Sequence, residues 1–308
     1  MVNQSSRAML VAASVTCVML LSLAAPAQSQ PLPVGATVTS FSLTGFNQFR
    51  TDMSQGGNFE LYEVDARLRV MRQFSSEWAA GFSVSYGYDR WTWRNPVGVV
   101  AQAPWGGIST PSVGLALQYS PTPGLRFGFN PSIEWAGEDG VGTKSSAIYG
   151  AVLSAANTFS KDLTLGVGAG VFRELGETKV FPFLVINWKI TDQLTLRNPL
   201  PAGPAGGAGL ELAYAIDSNW SIGAGGAYRK YRFRLNDSGP FAGGVGQNRM
   251  IPVFARVSYA FTPKTSLDFY AVAVTSGNVQ AQSADGQSSF STGYDTGLGL
   301  AINFSHRF

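Results

Sequence analysis

Beyond Gln28 the chain alternates apolar and non-apolar residues with a period of two, and it never runs apolar for the roughly 20 residues a membrane-crossing helix needs. From Tyr62 the alternation places Tyr62, Val64, Ala66, Leu68 and Val70 on one face and Glu63, Asp65, Arg67 and Arg69 on the other. The pattern returns in Trp78 to Asp89, Val113 to Tyr119, Leu125 to Phe129, Leu163 to Val171 and Leu210 to Ile216, and again in Ile251 to Phe261, Leu267 to Ala273 and Leu298 to Phe304. Each reads as a strand with one greasy side. In a soluble sandwich the other side would meet water and carry Lys and Glu; here it is mostly Gly, Ser, Ala and Thr, as in Thr164, Gly166, Gly168 and Gly170. Small residues of this kind suit a lumen in which opposite walls converge.

Charged residues make up 13% of the chain, against about 25% in a typical soluble protein. Only a helix or a closed barrel satisfies every backbone group in lipid, so a spanning chain without apolar helices must be a barrel. The expected fold is therefore an all-β, transmembrane antiparallel barrel. Connections alternate short and long along the chain, as in barrels with tight turns on one side of the membrane and loops on the other. Six short turns, at 74–77, 120–124, 158–162, 191–193, 217–219 and 262–264, and seven outer loops give 14 strands with both termini on the short-turn side. The largest outer loops are expected at 94–109, 236–249 and 277–292. Pro199, Pro201 and Pro204 and the doubly apolar segment Val180 to Ile190 leave 12 strands as the alternative. Trp78, Tyr119, Trp188, Trp220, Tyr259 and Phe308 fall at strand ends, where an interfacial aromatic girdle belongs.

Arg7, the apolar stretch Ala8 to Leu23 and Ala25-Pro26-Ala27 read as a signal peptide over 1–27, leaving 28–308 as the barrel in a bacterial outer membrane. The single cysteine, Cys17, lies inside that leader, so disulfides and thiolate metal sites are excluded from the mature chain. No cofactor is expected. A net charge of +3 without a basic run excludes nucleic acid as a partner.

The segment Phe181-Pro182-Phe183-Leu184-Val185-Ile186-Asn187-Trp188-Lys189-Ile190-Thr191, followed by Leu194-Thr195-Leu196 and a Pro-rich stretch, resembles an uncharacterised family of bacterial outer-membrane β-barrel proteins. Gly225-Gly226-Ala227-Tyr228-Arg229-Lys230-Tyr231-Arg232-Phe233-Arg234-Leu235 adds to that resemblance, which is clearest over Val180 to Leu235. It implies location and fold and no substrate. More distantly the architecture is similar to the 14-stranded fatty-acid transporters of the outer membrane, although the segment Gln28 to Gly35 is too short for their N-terminal hatch.

Two constellations could carry function. Glu63, Asp65, Arg67 and Arg69 project to the expected lumen, where they either pair with Arg126, Glu134, Lys189, Glu211, Arg256 and Asp268 on other strands or line a constriction that biases solute passage. Arg229, Lys230, Arg232 and Arg234, interleaved with Tyr228, Tyr231 and Phe233, form either a solvated outer rim or a site for lipopolysaccharide phosphates. Outer-membrane lipid and lipopolysaccharide are thus the expected surroundings, and the final amphipathic strand ending on Phe308 resembles the signature read by the barrel-insertion machinery. Barrel enzymes of the outer membrane use a histidine; the one here, His306, shares the lipid-facing side with Phe304 and Phe308 and lacks a nucleophile and an orienting group, so no enzyme is expected. The reading is a passive or weakly selective channel for small solutes. Its rival is an occluded structural or surface-interaction barrel.

Overall fold

A computed structural model describes residues 32–96, 102–198, 200 and 209–308. The expected signal peptide over 1–27, Cys17, and Pro199, Pro201 and Pro204 lie outside the described residues. The described chain forms one closed antiparallel barrel of 14 strands. They are β1 Thr37–Asp52, β2 Asn58–Gln73, β3 Trp78–Arg94, β4 Gly107–Thr122, β5 Leu125–Trp135 with its extension Gly137–Glu138, β6 Ala147–Ser160 and β7 Leu163–Glu174. There follow β8 Glu177–Lys189, β9 Leu194–Asn198, β10 Leu210–Ala215 and β11, which is broken into Trp220–Gly226 and Arg229–Arg234. The last three are β12 Val245–Thr262, β13 Thr265–Gln282 and β14, broken into Ser289–Tyr294 and Gly297–Arg307. Sequential strands pair, and β1 closes the ring on β14 through Leu43 opposite Phe304 and Gly45 opposite Ile302. Closure removes the unpaired edges that lipid would not tolerate. No helix among the described residues is long and apolar enough to cross a membrane.

Side chains outside the ring are those the period-two pattern assigns there. Val113, Leu115 and Leu117 on β4, Phe127 and Phe129 on β5, Leu210, Leu212 and Tyr214 on β10 and Leu298, Leu300 and Ile302 on β14 are all exposed. A continuous outward belt of this composition is stable only against acyl chains. At the short-turn end, Trp78 stacks on Tyr119 at 4.5 Å and Trp220 lies against Tyr259 at 4.7 Å, while Trp188 and Phe308 are exposed nearby in the chain's turn-proximal positions. The two registers Trp78 to Tyr119 and Trp220 to Tyr259 are direct cross-strand pairs, so the girdle also braces the sheet.

Inside, the glycine faces have a different cause from the one the sequence suggests. Gly168 and Gly170 of β7 do not leave a void; a Cβ on either would strike the rings of Phe183 and Phe181, which reach across from β8. Gly246 is covered in the same way by Phe233, and Gly277 by Tyr294. The aromatic ring lies flat on the neighbouring strand and shields a backbone that lacks its own side chain. This pairing also explains why Val180 to Ile190 is apolar on both faces: Val180, Leu184 and Trp188 meet lipid while Phe181 and Phe183 roof the glycines.

Two loop expectations need correction. Segment 277–292 is mostly strand, since β13 continues to Gln282 and β14 resumes at Ser289, and the loop expected over 236–249 ends earlier than expected, where β12 begins at Val245. The barrel wall therefore rises beyond the lipid belt on that side. One outer connection is also a two-residue hairpin, Leu175–Gly176, with φ of 45° and 101°, the left-handed pair that a tight hairpin requires.

Candidate functional site

Period two places every candidate lumen residue on the inner face, and the register then decides which of them meet. Glu211 on β10 is 2% exposed and accepts hydrogen bonds from Arg197 Nη2 at 2.6 Å and from Arg256 Nε and Nη2 at 3.1 and 2.9 Å. Arg256 reaches it over β11 because the intervening residue is Gly223, whose absent side chain would otherwise occupy the space taken by Glu211. Arg256 Nη1 donates onward to Asp268 Oδ1 at 3.0 Å, Asn303 Nδ2 to Asp268 Oδ2 at 2.9 Å and Thr44 Oγ1 to Asn303 Oδ1 at 2.9 Å. One ladder of charge-assisted bonds thus spans β9 to β1 across the inner wall. It joins Glu211, Arg256 and Asp268, three candidates from the sequence, to Arg197, Asn303 and Thr44, which the sequence reading did not single out.

The four residues of β2 lie beside the end of this ladder. Asp65 is opposite Thr44 in the register and Arg67 is 3.7 Å from Asp65, while Glu63 is directly opposite Asp89 of β3. Asp89, also missed, sits on the same small-residue face as Ser83, Ser85 and Gly87 and follows from the same alternation. Glu134 on β5 faces Arg67 and Asp65 from across β3 and β4, where Ser85 and Ser112 hydrogen bond at 2.7 Å and are too small to block it. Arg126 and Lys189 are separate from these groups. They stand at the short-turn mouth, where Arg126 is exposed and Lys189 Nζ donates to Asp192 at 2.8 Å.

The basic cluster departs from the expected solvated rim. After Gly226, β11 loses β10 as a neighbour, breaks at Ala227–Tyr228 and continues along β12 alone. Its other edge crosses the bore to β5: Arg234 N donates to Ala136 O at 2.9 Å, in parallel register with Gly137. Asn236 N and Gly106 N both donate to the Glu138 carboxylate, at 3.1 and 3.0 Å. Arg234 holds the carbonyls of Ser145 and Gly243 at 3.0 and 2.9 Å, and Arg232 is paired with Glu177. Arg229 is buried with its guanidinium 4.2 Å from the Tyr231 ring centre, and its charge acts on Glu63 and Asp89. Three of the four cations thus engage protein groups inside the mouth.

Above this crossing the bore is filled. Phe59, Trp91, Trp93, Trp105, Phe233 and Tyr294 pack with ring centres 5.0 to 5.5 Å apart, and Trp93 Nε1 donates to Trp105 O at 2.8 Å. Leu235, Phe241, Met250 and Val279 extend the same buried cluster. Each fully buried aromatic contributes roughly 1.5–3 kcal/mol, so these rings form a hydrophobic core inside the outer mouth. Trp105 gave no sequence signal because it lies in a non-periodic loop. His306, by contrast, has Nδ1 2.8 Å from Thr265 Oγ1 and its ring edge-on to Phe308 at 4.6 Å.

Comparisons with known proteins were made on this geometry. A search of curated proteins finds no match. Among solved structures, the COG4313 outer membrane channel from Pseudomonas putida F1 aligns over 92% of this chain and 99% of its own, with 11% identity and a TM-score of 0.48. The KdgM porin aligns over 87% and 99%, with 10% identity and a TM-score of 0.40, and the Pseudomonas putida toluene transporter TodX over 89% and 90%, with 11% identity and a TM-score of 0.39. At such scores no function transfers. A family model, the domain of unknown function DUF6268, matches residues 139–308, which is more than half of the chain and includes β6 to β14, the ladder residues Arg197, Glu211, Arg256 and Asp268, and the crossing segment of β11; the chain belongs to the DUF6268 family.

Proposed function

We propose that the chain is a channel for small solutes in a bacterial outer membrane and that the state described is its closed state. The observation that carries this reading is the contrast between the two ends of the bore. On the short-turn side the inner wall is small and accessible, with Ala156, Gly166, Thr195, Ala213 and Ser221 half-exposed. On the other side the block depends on a strand segment whose far edge is held by one backbone bridge, by the side chains of Arg234 and Glu138 and by the Arg232–Glu177 pair. A seam with so few bonds can open without unfolding the wall.

Planar-bilayer recording tests the reading with Arg234→Ala and Glu138→Gln combined, which weaken the side-chain links to Ser145 and Asn236 at the seam. Discrete openings that become more frequent in the variant support it. The aromatic filling of the mouth favours a second reading, an occluded structural barrel; silence of both proteins over a voltage range that opens other barrels would favour that one. Phe308, exposed at the end of the last strand, supports recognition by the insertion machinery. Deleting it would slow assembly into the membrane without altering the folded barrel.

A further inference from the structure

The charges of the lumen are not spread evenly along its axis. Counting from the short turns, the lower bore holds Arg67, Arg69, Arg126, Lys189, Arg197 and Arg256. The acids at or beside that level are Glu211 and Asp268, both clamped by Arg256, Asp65, 3.7 Å from Arg67, Glu134, which faces Arg67 in the register, and Asp192 in the turn beside Lys189. The facing carboxylates Glu63 and Asp89 lie higher, nearer the outer mouth. Guanidinium groups stay charged at any working pH, so the lower bore keeps a positive excess that low-dielectric walls focus rather than dissipate. Access is compatible with a ligand there: Arg126 is exposed, and Ala156 opposite it and Gly166 beyond are small and half-exposed.

We propose that the short-turn half of the lumen is a vestibule that attracts and binds small anions bearing carboxylate or phosphate groups. The inference names the solute class for the channel reading, and only its transit step rests on that reading. Arg126, exposed at the mouth, is the group that meets the ligand. Arg197, four strands away on β9, is held by Glu211, and Arg256 by Glu211 and Asp268, so these two add to the field without touching the ligand.

The test is the reactivity of a cysteine placed in the vestibule of the purified barrel, in a Cys17→Ser background. Ala156→Cys sits opposite Arg126 in the register, and Ala213→Cys, opposite Thr195 and Gly223, is a second site should the first disturb folding. Negatively and positively charged methanethiosulfonates of equal size are compared, each rate divided by that on a free thiol. The anionic reagent is expected to react about tenfold faster than the cationic one, since potentials of several kT build up in such clefts. The preference should shrink in about 1 M salt, where the Debye length is ~3 Å, and fall towards unity with Arg126→Gln and Arg197→Gln. Equal rates, or a faster cationic reagent, would overturn the proposal. Anion preference with a silent bilayer would sink the channel reading and leave the vestibule standing; conductance without anion preference would do the reverse.

Discussion

Replacing Glu211 by glutamine removes one charge from the centre of the ladder while keeping its shape, and the structure sets the size of the effect. Glu211 and Arg256 are 2% and 5% exposed at their side chains, so little water is present to screen or replace their bonds. Breaking a buried ion pair by removing one partner costs about 3–5 kcal/mol. Arg256 retains its bond to Asp268 and the substituted amide still offers a carbonyl, so the loss for Glu211→Gln should lie near the bottom of that range, at ~3 kcal/mol. Arg256→Gln removes the cation between two buried carboxylates, leaving Glu211 to Arg197 and Asp268 to Asn303, and should cost about 4 kcal/mol. Arg197→Gln should cost no more than ~1 kcal/mol, because its partly exposed guanidinium can be exchanged for water and Arg256 continues to hold Glu211. Because both central residues serve one network, the double variant Glu211→Gln/Arg256→Gln should fall short of the sum by ~2 kcal/mol. Reversible urea unfolding from lipid vesicles, followed by tryptophan fluorescence, measures all four. A Glu211→Gln loss below about 1 kcal/mol, or strict additivity in the cycle, would refute the claim that the ladder is a dry, coupled network.

Three further outcomes follow from other parts of the barrel. Gly168→Val should lose ~1–3 kcal/mol by forcing the Phe183 ring off β7, and Phe183→Ala introduced with it should recover part of the loss; no recovery would mean the two do not touch. Leu300→Arg, at the centre of the outward belt, should cost ~2–4 kcal/mol of stability in a bilayer, and a neutral effect would place that face away from lipid. In the short turn before β11, Asp217 accepts hydrogen bonds from the backbone N–H groups of Trp220 and Asn219, both at 2.7 Å, which hold its carboxyl below the usual carboxylate range. A depressed folded value means stability present above the unfolded value of about 3.9 and lost as the pH falls through the folded one. Asp217→Asn should therefore be less stable than the parent at neutral pH, and the gap should close on acidification; a gap independent of pH would show that the carboxylate charge is not what matters.

The outward half of the fold was legible because lipid imposes one rule at every second position. Val113, Leu115 and Leu117, or Leu298, Leu300 and Ile302, cannot be read in any other phase, and the six tight turns between them fix the strand count. The inward positions of Glu63, Asp65, Arg67, Arg69, Glu211, Arg256 and Asp268 follow from the same phase. Their partners do not, since the stagger of the ring decides which heights coincide, and a glycine such as Gly223 can let a side chain two strands away come into reach. Asp89 and Arg197 were within reach of the alternation and needed only its extension. The crossing of β11 was hidden for a physical reason: Arg229 to Arg234 alternates like any wall strand, and only the loss of β10 as a neighbour turns it inward. The strands that rise past the lipid belt read as loops because Gln247, Asn278, Gln280, Ser289 and Ser291 fill their outward face once acyl chains no longer demand an apolar one.

The central claim is that across the lipid belt every second residue of a wall strand meets acyl chains while its neighbours face a lumen. Nitroxide labels placed one at a time on 112–117 of β4, in lipid vesicles, test it by their collision rates with oxygen and with a water-soluble nickel complex. Labels replacing Val113, Leu115 and Leu117 should collide preferentially with oxygen, and those replacing Ser112, Gly114 and Ala116 should not, giving a two-residue oscillation along the strand. The absence of that oscillation, or its appearance in the opposite phase, would contradict the account.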